Sequence, residues 1–212
     1  MDCRSEEYEL IPRSPLLDEF AVLIVYSGIN KTLIGTDYNN RVDECKVAAW
    51  ILQEAQTGTV TPFKEVRLRD LSEDFYRANK EKLPGRFRRR AEHFFSENER
   101  VRRGIECWRR GDLPAFGKLI FESGESSIHQ YECGAPELIT IYEILRDSPG
   151  VYGARFSGAG YRGCCIGIID PSYRDEIEKR IHDIYPHRHP VYKDVYRVYF
   201  AGLDDGARIT AD

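Results

Sequence analysis

Several features of membrane and secreted proteins are missing from this sequence. The longest strongly apolar stretch runs only from Phe20 to Tyr26, whereas a membrane-spanning helix needs about 20 apolar residues. The N-terminus has no basic region followed by an apolar core, so we expect no signal peptide. The six cysteines include no Cys-x-x-Cys pair. This pattern predicts reduced thiols and a cytoplasmic location.

Excess positive charge is also missing. The net charge is −4, with 31 Lys and Arg against 35 Asp and Glu. Nucleic-acid-binding proteins are usually basic and membrane surfaces attract polybasic segments, so we expect neither partner. The basic cluster is interleaved with Glu92, Glu97 and Glu99, which predicts a solvated helix face. Its arginines are Arg86, Arg88, Arg89, Arg90, Arg100, Arg102 and Arg103.

Metal-ligand spacing is absent as well. His187 and His189 flank Arg188, but no third ligand follows at a metal-site spacing, so we interpret them as part of a loop and predict no metal ligand. His93 and His129 are interpreted as structural residues.

Apolar residues make up 42% of the 212 residues, enough for a hydrophobic core in one large domain or two small ones. The apolar runs predict a hairpin-like pair of strands at Tyr8–Pro12 and Phe20–Tyr26. Apolar stripes at helical spacing then predict four helices. These are Arg41–Gln56, started by Asn39 or Asn40 as cap, Arg86–Arg110, Pro114–Ser123 and Pro136–Arg146.

The last third of the chain changes period. Val151–Ser157 and Gly163–Asp170 are predicted to be strands around a glycine-rich turn. Asp170-Pro171 is typical of a helix start, and Val195–Ala201 supplies a last strand. The order helix, strand, strand, helix, strand indicates an α+β fold with a split β-α-β sandwich.

The glycine-rich turn spans Gly153 to Gly163 and reads Gly-Ala-Arg-Phe-Ser-Gly-Ala-Gly-Tyr-Arg-Gly. Small residues let a backbone approach a ligand closely, and successive amides can form an anion-binding nest. The segment is neither a P-loop nor a dinucleotide fingerprint, because no Gly-Lys-Ser/Thr follows and no helix is predicted directly after it. On the glycines alone, a tight strand-to-strand turn without a ligand is the simpler interpretation.

The wider segment 151–165 resembles the third conserved motif of the GHMP small-molecule kinases in its galactokinase form. Other segments resemble that family in the same order along the chain. They are 2–5, Ser27 with 37–45, 90–98, 131–133 and 136–138. The resemblance covers essentially the whole chain.

Details of the third motif resemble the galacturonokinases within that family. Galactokinases usually have Phe-Gly-Gly-Cys there, whereas this chain has Tyr-Arg-Gly-Cys at 161–164. Ser-Ser at 126–127 precedes Tyr-Glu-Cys-Gly at 131–134, as the uronic-acid kinases tend to have.

The resemblance assigns roles to individual residues. Tyr38 matches a tyrosine that hydrogen-bonds the sugar, although an ordinary surface tyrosine beside a helix start is the alternative. Arg162 could pair with a sugar carboxylate or a phosphate, with a solvent-facing arginine as the alternative. A family loop that approaches the nucleotide phosphates is matched by Ser157, Gly158, Ala159 and Gly160. Packing between the two halves of the enzyme is the alternative role of this loop.

In the family, the phosphate loop, the Mg²⁺ ligands and the catalytic aspartate belong to the N-terminal half, and this chain contains none of these motifs. The resemblance therefore implies ATP and Mg²⁺ as cofactors of a complete enzyme, a sugar or sugar acid as substrate, and the N-terminal kinase half as partner. It implies no catalytic residue in this chain. Positioning and charge stabilisation supply nearly all catalysis in phosphoryl transfer, so we expect little activity from the chain alone.

The resemblance also implies an architecture and a reaction. We expect the C-terminal portion of a GHMP kinase, with a ferredoxin-like split β-α-β core and an added helical segment. The strand pair with the sugar-side loop and helix would occupy 1–60, the helical segment 61–133 and the ferredoxin-like segment 134–212. The expected reaction is ATP-dependent phosphorylation of the anomeric hydroxyl of galacturonate or galactose. A non-catalytic sugar- or nucleotide-binding module and a purely structural domain are the alternatives.

Overall fold

The computed structural model of the protein describes residues 1–30, 37–59 and 61–203. Its strands are β1 (Ala21–Tyr26), β2 (Val151–Phe156), β3 (Cys164–Ile169) and β4 (Arg197–Ala201). Its helices are α1 (Tyr38–Thr57), α2 (Glu73–Asn79), α3 (Gly85–Arg110), α4 (Leu113–His129), α5 (Pro136–Arg146) and α6 (Arg174–Arg188). No helix in this described part is both long and apolar enough to cross a bilayer.

The four strands form one antiparallel sheet in the order β2-β3-β1-β4. The apolar, β-branched sequence of β1 suits its central place, where it pairs along its length with β3 on one side and β4 on the other. This strand order, with helices between β1 and β2 and between β3 and β4, is the ferredoxin-like split β-α-β arrangement. The predicted α+β fold class is therefore confirmed.

One face of the sheet carries the main core. Alternation along the strands turns Leu23, Val25, Cys165 and Ile169 toward α5 and α6, where all four are buried. The two helices pack against these residues with apolar side chains spaced three or four residues apart. These are Leu138, Ile141 and Leu145 on α5 and Ile177, Ile181 and Tyr185 on α6. Asp170 holds the chain at the entry to α6, because its carboxylate accepts a 2.9 Å hydrogen bond from the Ser172 amide.

Two glycines bring α4 directly against β2, the strand at one end of the sheet. A Cβ added at Gly117 of α4 would lie 2.2 Å from the carbonyl oxygen of Tyr152. A Cβ added at Gly153 of β2 would lie equally close, at 2.2 Å, to the carbonyl oxygen of Gly117. Only residues without side chains permit this contact, which protects an end strand that would otherwise expose unpaired backbone groups.

A second core forms between α1, α3 and the chain that connects them. Ala49 and Leu52 on α1 and Ala91 and Phe95 on α3 are buried in it, together with Tyr76 of α2. Tyr76 stacks on Phe95 with ring centroids 4.2 Å apart. The helical segment therefore has an apolar core of its own beside the sheet.

The predicted strand at Tyr8–Pro12 is wrong. Within the described part of the chain these residues have no ladder partner and are mostly exposed, and β1 pairs with β3 and β4 instead. The N-terminal segment is held by charge rather than by a hairpin. Arg69 donates two hydrogen bonds, of 3.0 and 2.5 Å, to the Asp2 carboxylate, and Arg4 lies 2.8 Å from Asp70.

The helix predictions differ from the structure mainly at their ends. The helix that we expected to start at Arg41 begins at Tyr38, and neither Asn39 nor Asn40 caps it. The short helix α2 was not predicted, although Ser72 caps it by accepting a 3.2 Å hydrogen bond from the Phe75 amide. The predicted domain limits stay predictions, and 31–36 of the expected sugar-side loop lie outside the described residues.

Candidate functional site

The glycine-rich turn joins β2 to β3, and its outer end is fixed to β1. The Ser157 amide donates a 3.0 Å hydrogen bond to the Cys164 carbonyl, which closes the base of the turn. The fully buried Ser27 then donates twice to the Gly163 carbonyl, from its amide at 2.9 Å and from its hydroxyl at 2.8 Å. These bonds place the turn at one end of the sheet.

The inner side of the turn packs against the loop before α5. The Ala135 amide donates a 2.6 Å hydrogen bond to the Gly160 carbonyl. Gly160 has φ +78°, and a Cβ there would lie 2.6 Å from Cδ2 of Phe156 and 3.2 Å from Cα of Gly134. Packing within the chain is therefore enough to explain glycine at position 160.

The tip of the turn is different. Gly158 is exposed, its φ is outside the left-handed region, and a Cβ added there would meet no atom within 4 Å among the described residues. Neither backbone conformation nor packing among the described residues requires glycine at this position. Ser157 beside it is also exposed and Ala159 is half-buried, so the tip offers backbone amides, one hydroxyl and little bulk.

Tyr161 and Arg162 leave the turn in different environments. Arg162 is exposed, whereas the ring of Tyr161 packs against the main core. Burial raises the pKa of the Tyr161 hydroxyl, while the nearby Arg41 opposes this shift and Asp37 adds to it. The hydroxyl is buried and finds no hydrogen-bond partner within the described ranges. Tyr161 therefore lies within electrostatic range of Asp37 and Arg41, at the start of α1.

Tyr38 begins α1 and its side chain is partly exposed, at 42%. One helical turn later, Arg41 donates from Nε and Nη2 to the Glu132 carbonyl, at 3.1 and 3.0 Å. Glu132 and Ala135 lie in the same loop before α5, so this loop connects the start of α1 with the glycine turn. The structure thus brings Tyr38 and the turn residues to one region, and their roles stay predictions.

Arg90 on α3 connects α1 with the loop before α5, the two parts of the chain that adjoin the glycine turn. Only 1% of its side chain is exposed, and its three nitrogens bond to three different parts of the chain. Nε donates to the Glu44 carboxylate of α1 at 2.6 Å, Nη2 donates to the Glu132 carboxylate at 2.6 Å, and Nη1 donates to the Gln130 carbonyl.

The prediction that the basic cluster is a solvated helix face is wrong for Arg90. It is also wrong for Arg100, whose side chain is 13% exposed and pairs with Glu97, whereas Arg102 keeps 60% of its side chain exposed while pairing with Glu73 and Glu99. The sequence carries one signal for the buried position. Arg90 lies three residues after Phe87 and four before Phe94, which places it on the same side of α3 as these partly buried rings.

The predictions for the histidines are mixed. His93 is mostly buried and its Nδ1 lies 2.8 Å from the Ser126 hydroxyl, while its ring lies 4.7 Å from that of Tyr131. His187 is in the last turn of α6, so the loop predicted there is wrong at this position. His189 follows the helix, and its Nε2 lies 2.9 Å from the Thr140 hydroxyl.

Two thiols near this region, Cys45 and Cys133, are not activated for nucleophilic attack. Burial raises the pKa of the Cys45 thiol to about 11 and that of the Cys133 thiol to about 11, so both are protonated at neutral pH. Within 1–30, 37–59 and 61–203, no group of three or more His, Cys, Asp or Glu side chains is arranged to hold a metal ion. The other polar groups of the region include backbone amides, hydroxyls, guanidinium groups and the carboxylates of Glu44 and Glu132.

Comparison with known proteins gives this geometry a family context. Residues 105–187, which include the glycine turn, match the family described as GHMP kinases C terminal. The chain is 42% identical to a galacturonokinase of Arabidopsis thaliana over 193 residues, 91% of this chain and 45% of that protein. It is 32% identical to a galactokinase of Roseiflexus sp. over 206 residues, 97% of this chain and 50% of that protein.

The solved structures agree. The galactokinase of Lactococcus lactis, crystallised with galactose, superposes with a TM-score of 0.78 at 28% identity, covering 97% of this chain and 50% of that one. The mevalonate kinase of L. major shares the fold, with a TM-score of 0.51 at 17% identity over 92% of this chain and 46% of that one. The chain spans about half the length of the curated relatives that it matches.

Proposed function

Because this chain belongs to the GHMP kinases and corresponds to their C-terminal part, we propose that it forms one wall of the substrate cleft of an ATP-dependent sugar 1-kinase. The other wall would come from an N-terminal half that carries the phosphate loop, the Mg²⁺ ligands and the catalytic aspartate. The reaction we propose is transfer of the γ-phosphoryl group of ATP to the anomeric hydroxyl of a sugar or sugar acid.

One geometric observation carries this proposal. Gly158 is exposed at the tip of a turn that is otherwise fixed at both ends, and nothing in the described part of the chain requires glycine there. A position without side chain, held rigidly and facing open space, suits close approach by a phosphate group. Gly160, which internal packing explains, supports the proposal only by fixing the shape of the turn.

Each residue then has a defined task. The amides around Gly158 would lie against the phosphates of ATP, where backbone N–H groups stabilise the charge of the transferring phosphoryl group. The Ser157 hydroxyl is exposed beside them and would add one donor. Tyr38 would orient the sugar, with its ring against the apolar face of the sugar and its hydroxyl bonded to one sugar oxygen. None of these residues is a proton acceptor in this proposal, which assigns that role to the catalytic aspartate of the N-terminal half.

Among sugars, we propose galacturonate as the substrate and galactose as the weaker alternative. Sequence identity to the plant galacturonokinase is 42%, against 32% to the bacterial galactokinase. Arg162 is exposed on the turn, and a guanidinium there suits a carboxylate, which it can bind through two parallel hydrogen bonds. All six cysteines are free thiols, which is consistent with our proposal that the enzyme acts in the cytoplasm.

The test compares the purified chain with the same chain joined to an N-terminal kinase half. We expect the chain alone to transfer no phosphate from ATP to galacturonate or galactose, and the joined protein to phosphorylate galacturonate with the higher kcat/KM. Turnover by the chain alone, lost on mutation of one of its own residues, would refute the expected inactivity. A joined protein that binds sugar but transfers phosphate to neither sugar would instead favour a non-catalytic binding module.

A further inference from the structure

We propose that Arg90 is a positioning residue, which fixes the glycine turn relative to the start of α1. Arg90 lies behind the region that contains Tyr38 and the turn, and it reaches both through other residues. The inference rests on the proposed function and extends it to a residue that would touch neither the sugar nor ATP.

The contacts of Arg90 tie three separate parts of the chain together. Its Nε bonds to Glu44 on α1, its Nη1 to the Gln130 carbonyl just after α4, and its Nη2 to Glu132 in the loop before α5. Arg89 adds a contact to the second oxygen of the Glu132 carboxylate, at 2.5 Å. Two neighbouring arginines of α3 therefore bind the Glu132 carboxylate and fix this loop against the helix.

From Glu132, the constraint passes to the glycine turn. Glu132 has φ +53°, a left-handed conformation that a residue with a side chain adopts only where its surroundings impose it. The next amide, of Cys133, donates a 3.0 Å hydrogen bond to the Ser127 carbonyl, and the Ala135 amide donates at 2.6 Å to Gly160. Between them, Gly134 packs against Phe156 beside Gly160. Movement of Glu132 must therefore shift the inner side of the turn.

From Glu44, the constraint passes to the start of α1. The same Glu44 oxygen that accepts from Arg90 also accepts from Nη1 of Arg41, at 3.2 Å. Arg41 in turn donates to the Glu132 carbonyl, so the network is a closed ring of Arg90, Glu44, Arg41 and Glu132. Because Tyr38 lies one helical turn before Arg41, the ring sets where the Tyr38 end of α1 lies relative to the turn.

The three bonds require the planar fork of an arginine. A lysine at position 90 keeps the positive charge but has a single ammonium group, which cannot reach Glu44, Gln130 and Glu132 in three directions. If Arg90 served only to neutralise the two glutamates, Arg90→Lys would restore most of its role. If Arg90 positions the loop, Arg90→Lys should fail nearly as fully as Arg90→Met.

The first experiment measures amide hydrogen exchange by the 212-residue chain and needs no activity. In Arg90→Lys, Arg90→Met and the milder Glu132→Gln, we expect exchange to accelerate about tenfold in 131–135 and in 157–164, with β1 and α6 unchanged. Arg102→Lys and Arg102→Met are the matched controls, because Arg102 is an exposed, paired arginine of the same helix. They should leave both segments unchanged.

Faster exchange in 131–135 without any change in 157–164 would overturn the inference, and so would a uniform increase that includes β1 in Glu132→Gln.

The second experiment uses the chain joined to its N-terminal half. There we expect Arg90→Lys to lower kcat/KM for the sugar about tenfold to a hundredfold, mainly through the KM for sugar, after correction for the folded fraction. A merely structural role predicts an unchanged KM.

The two experiments separate this inference from the proposed function. If the exchange pattern is as expected but Tyr38→Phe and Arg90→Lys both leave sugar kinetics unchanged, then the coupling is correct and the proposed site is wrong. If Tyr38→Phe alters sugar kinetics while Arg90→Lys exchanges and turns over like wild type, the site is correct and Arg90 does not position it.

Discussion

The amide of Ala135 donates a 2.6 Å hydrogen bond to the carbonyl of Gly160, and this bond joins the loop before α5 to the glycine turn. The turn has a second attachment on its outer end, where Ser27 holds the Gly163 carbonyl. Gly158 at the tip of the turn precedes both attachments, and a Cβ added there would meet no described atom within 4 Å. The following predictions depend on this division between a fixed base and an open tip.

Tyr38→Phe removes one hydroxyl from the proposed sugar site and should weaken sugar use. In the chain joined to its N-terminal half, we expect kcat/KM for the sugar to fall by the equivalent of about 0.5–1.5 kcal/mol, with a smaller effect on ATP. Tyr199→Phe is the matched control, since Tyr199 is a 53% exposed tyrosine on β4. Steady-state kinetics with several sugars measure the effect. An unchanged kcat/KM for each of them would remove Tyr38 from the site.

Ser27→Ala should loosen the outer end of the turn. The Ser27 hydroxyl is fully buried and donates to the Gly163 carbonyl at 2.8 Å, so we expect the free energy of unfolding to fall by about 0.5–1.5 kcal/mol. Ser148→Ala is the matched control, because Ser148 is a buried serine whose hydroxyl donates to Ile144, away from the turn. Both variants should lose stability in denaturant unfolding. Faster amide exchange in 157–164 should appear only in Ser27→Ala, and its absence would contradict the proposed anchoring.

His93 predicts a loss of stability on mild acidification. Burial lowers the pKa of His93 from 6.5 to about 4, so between these values the unfolded chain binds a proton that the folded chain does not. Stability therefore decreases as the pH falls through this window. From pH 7.5 to pH 5 we expect a loss of about 2 kcal/mol from this group, measured by denaturant unfolding.

The control for this pH effect is internal to the chain. His93→Gln should remove most of the slope between pH 6.5 and pH 5, whereas His129→Gln should keep it, because the His129 side chain is 71% exposed. Glu97 and Glu132 also have lowered pKa values, Glu132 first through its bond to Arg90, and their contribution is lost only below their ordinary value of 4.5. A slope that His93→Gln leaves intact would show that another group titrates in this window.

Local sequence signals predicted the sheet and most helices well. Helix α5 has the predicted limits Pro136 and Arg146, since proline at its start and an apolar stripe are both local features. The apolar run of β1 likewise marked a central strand. The strand at Tyr8–Pro12 failed because its existence depended on a pairing partner, and β1 has both of its sides occupied by distant strands.

The site was predictable where it depends on motifs and not where it depends on distant contacts. The ion pairs of Arg90 could not be predicted from the sequence, because its partners Glu44 and Glu132 are 46 and 42 residues away. In the same way, Gly158 and Gly160 are equivalent in sequence, and only three-dimensional packing shows that one glycine is required by the chain and the other is not.

Gly158→Ala and Gly160→Ala form a matched pair that separates ligand approach from internal packing. A Cβ at position 158 meets no described atom within 4 Å, so we expect Gly158→Ala to leave the free energy of unfolding unchanged or raise it by about 0.4–1 kcal/mol. Gly160→Ala should lower the free energy of unfolding by about 1–2 kcal/mol or more, because φ is +78° there and the added Cβ would lie 2.6 Å from Cδ2 of Phe156. Thermal and denaturant unfolding of the 212-residue chain measure both.

Per folded molecule, Gly158→Ala should lose more kinase activity than Gly160→Ala, although it is the more stable of the two variants. In the chain joined to its N-terminal half, Gly158→Ala should lower kcat and raise the KM for ATP at full stability, because the added methyl group occupies space that the proposed phosphate contact needs. Gly160→Ala should lose activity in proportion to its unfolded fraction, with a smaller change in KM. If Gly158→Ala melts and phosphorylates like wild type, the tip of the turn takes no part in catalysis, and glycine at position 158 has neither a structural nor a functional reason.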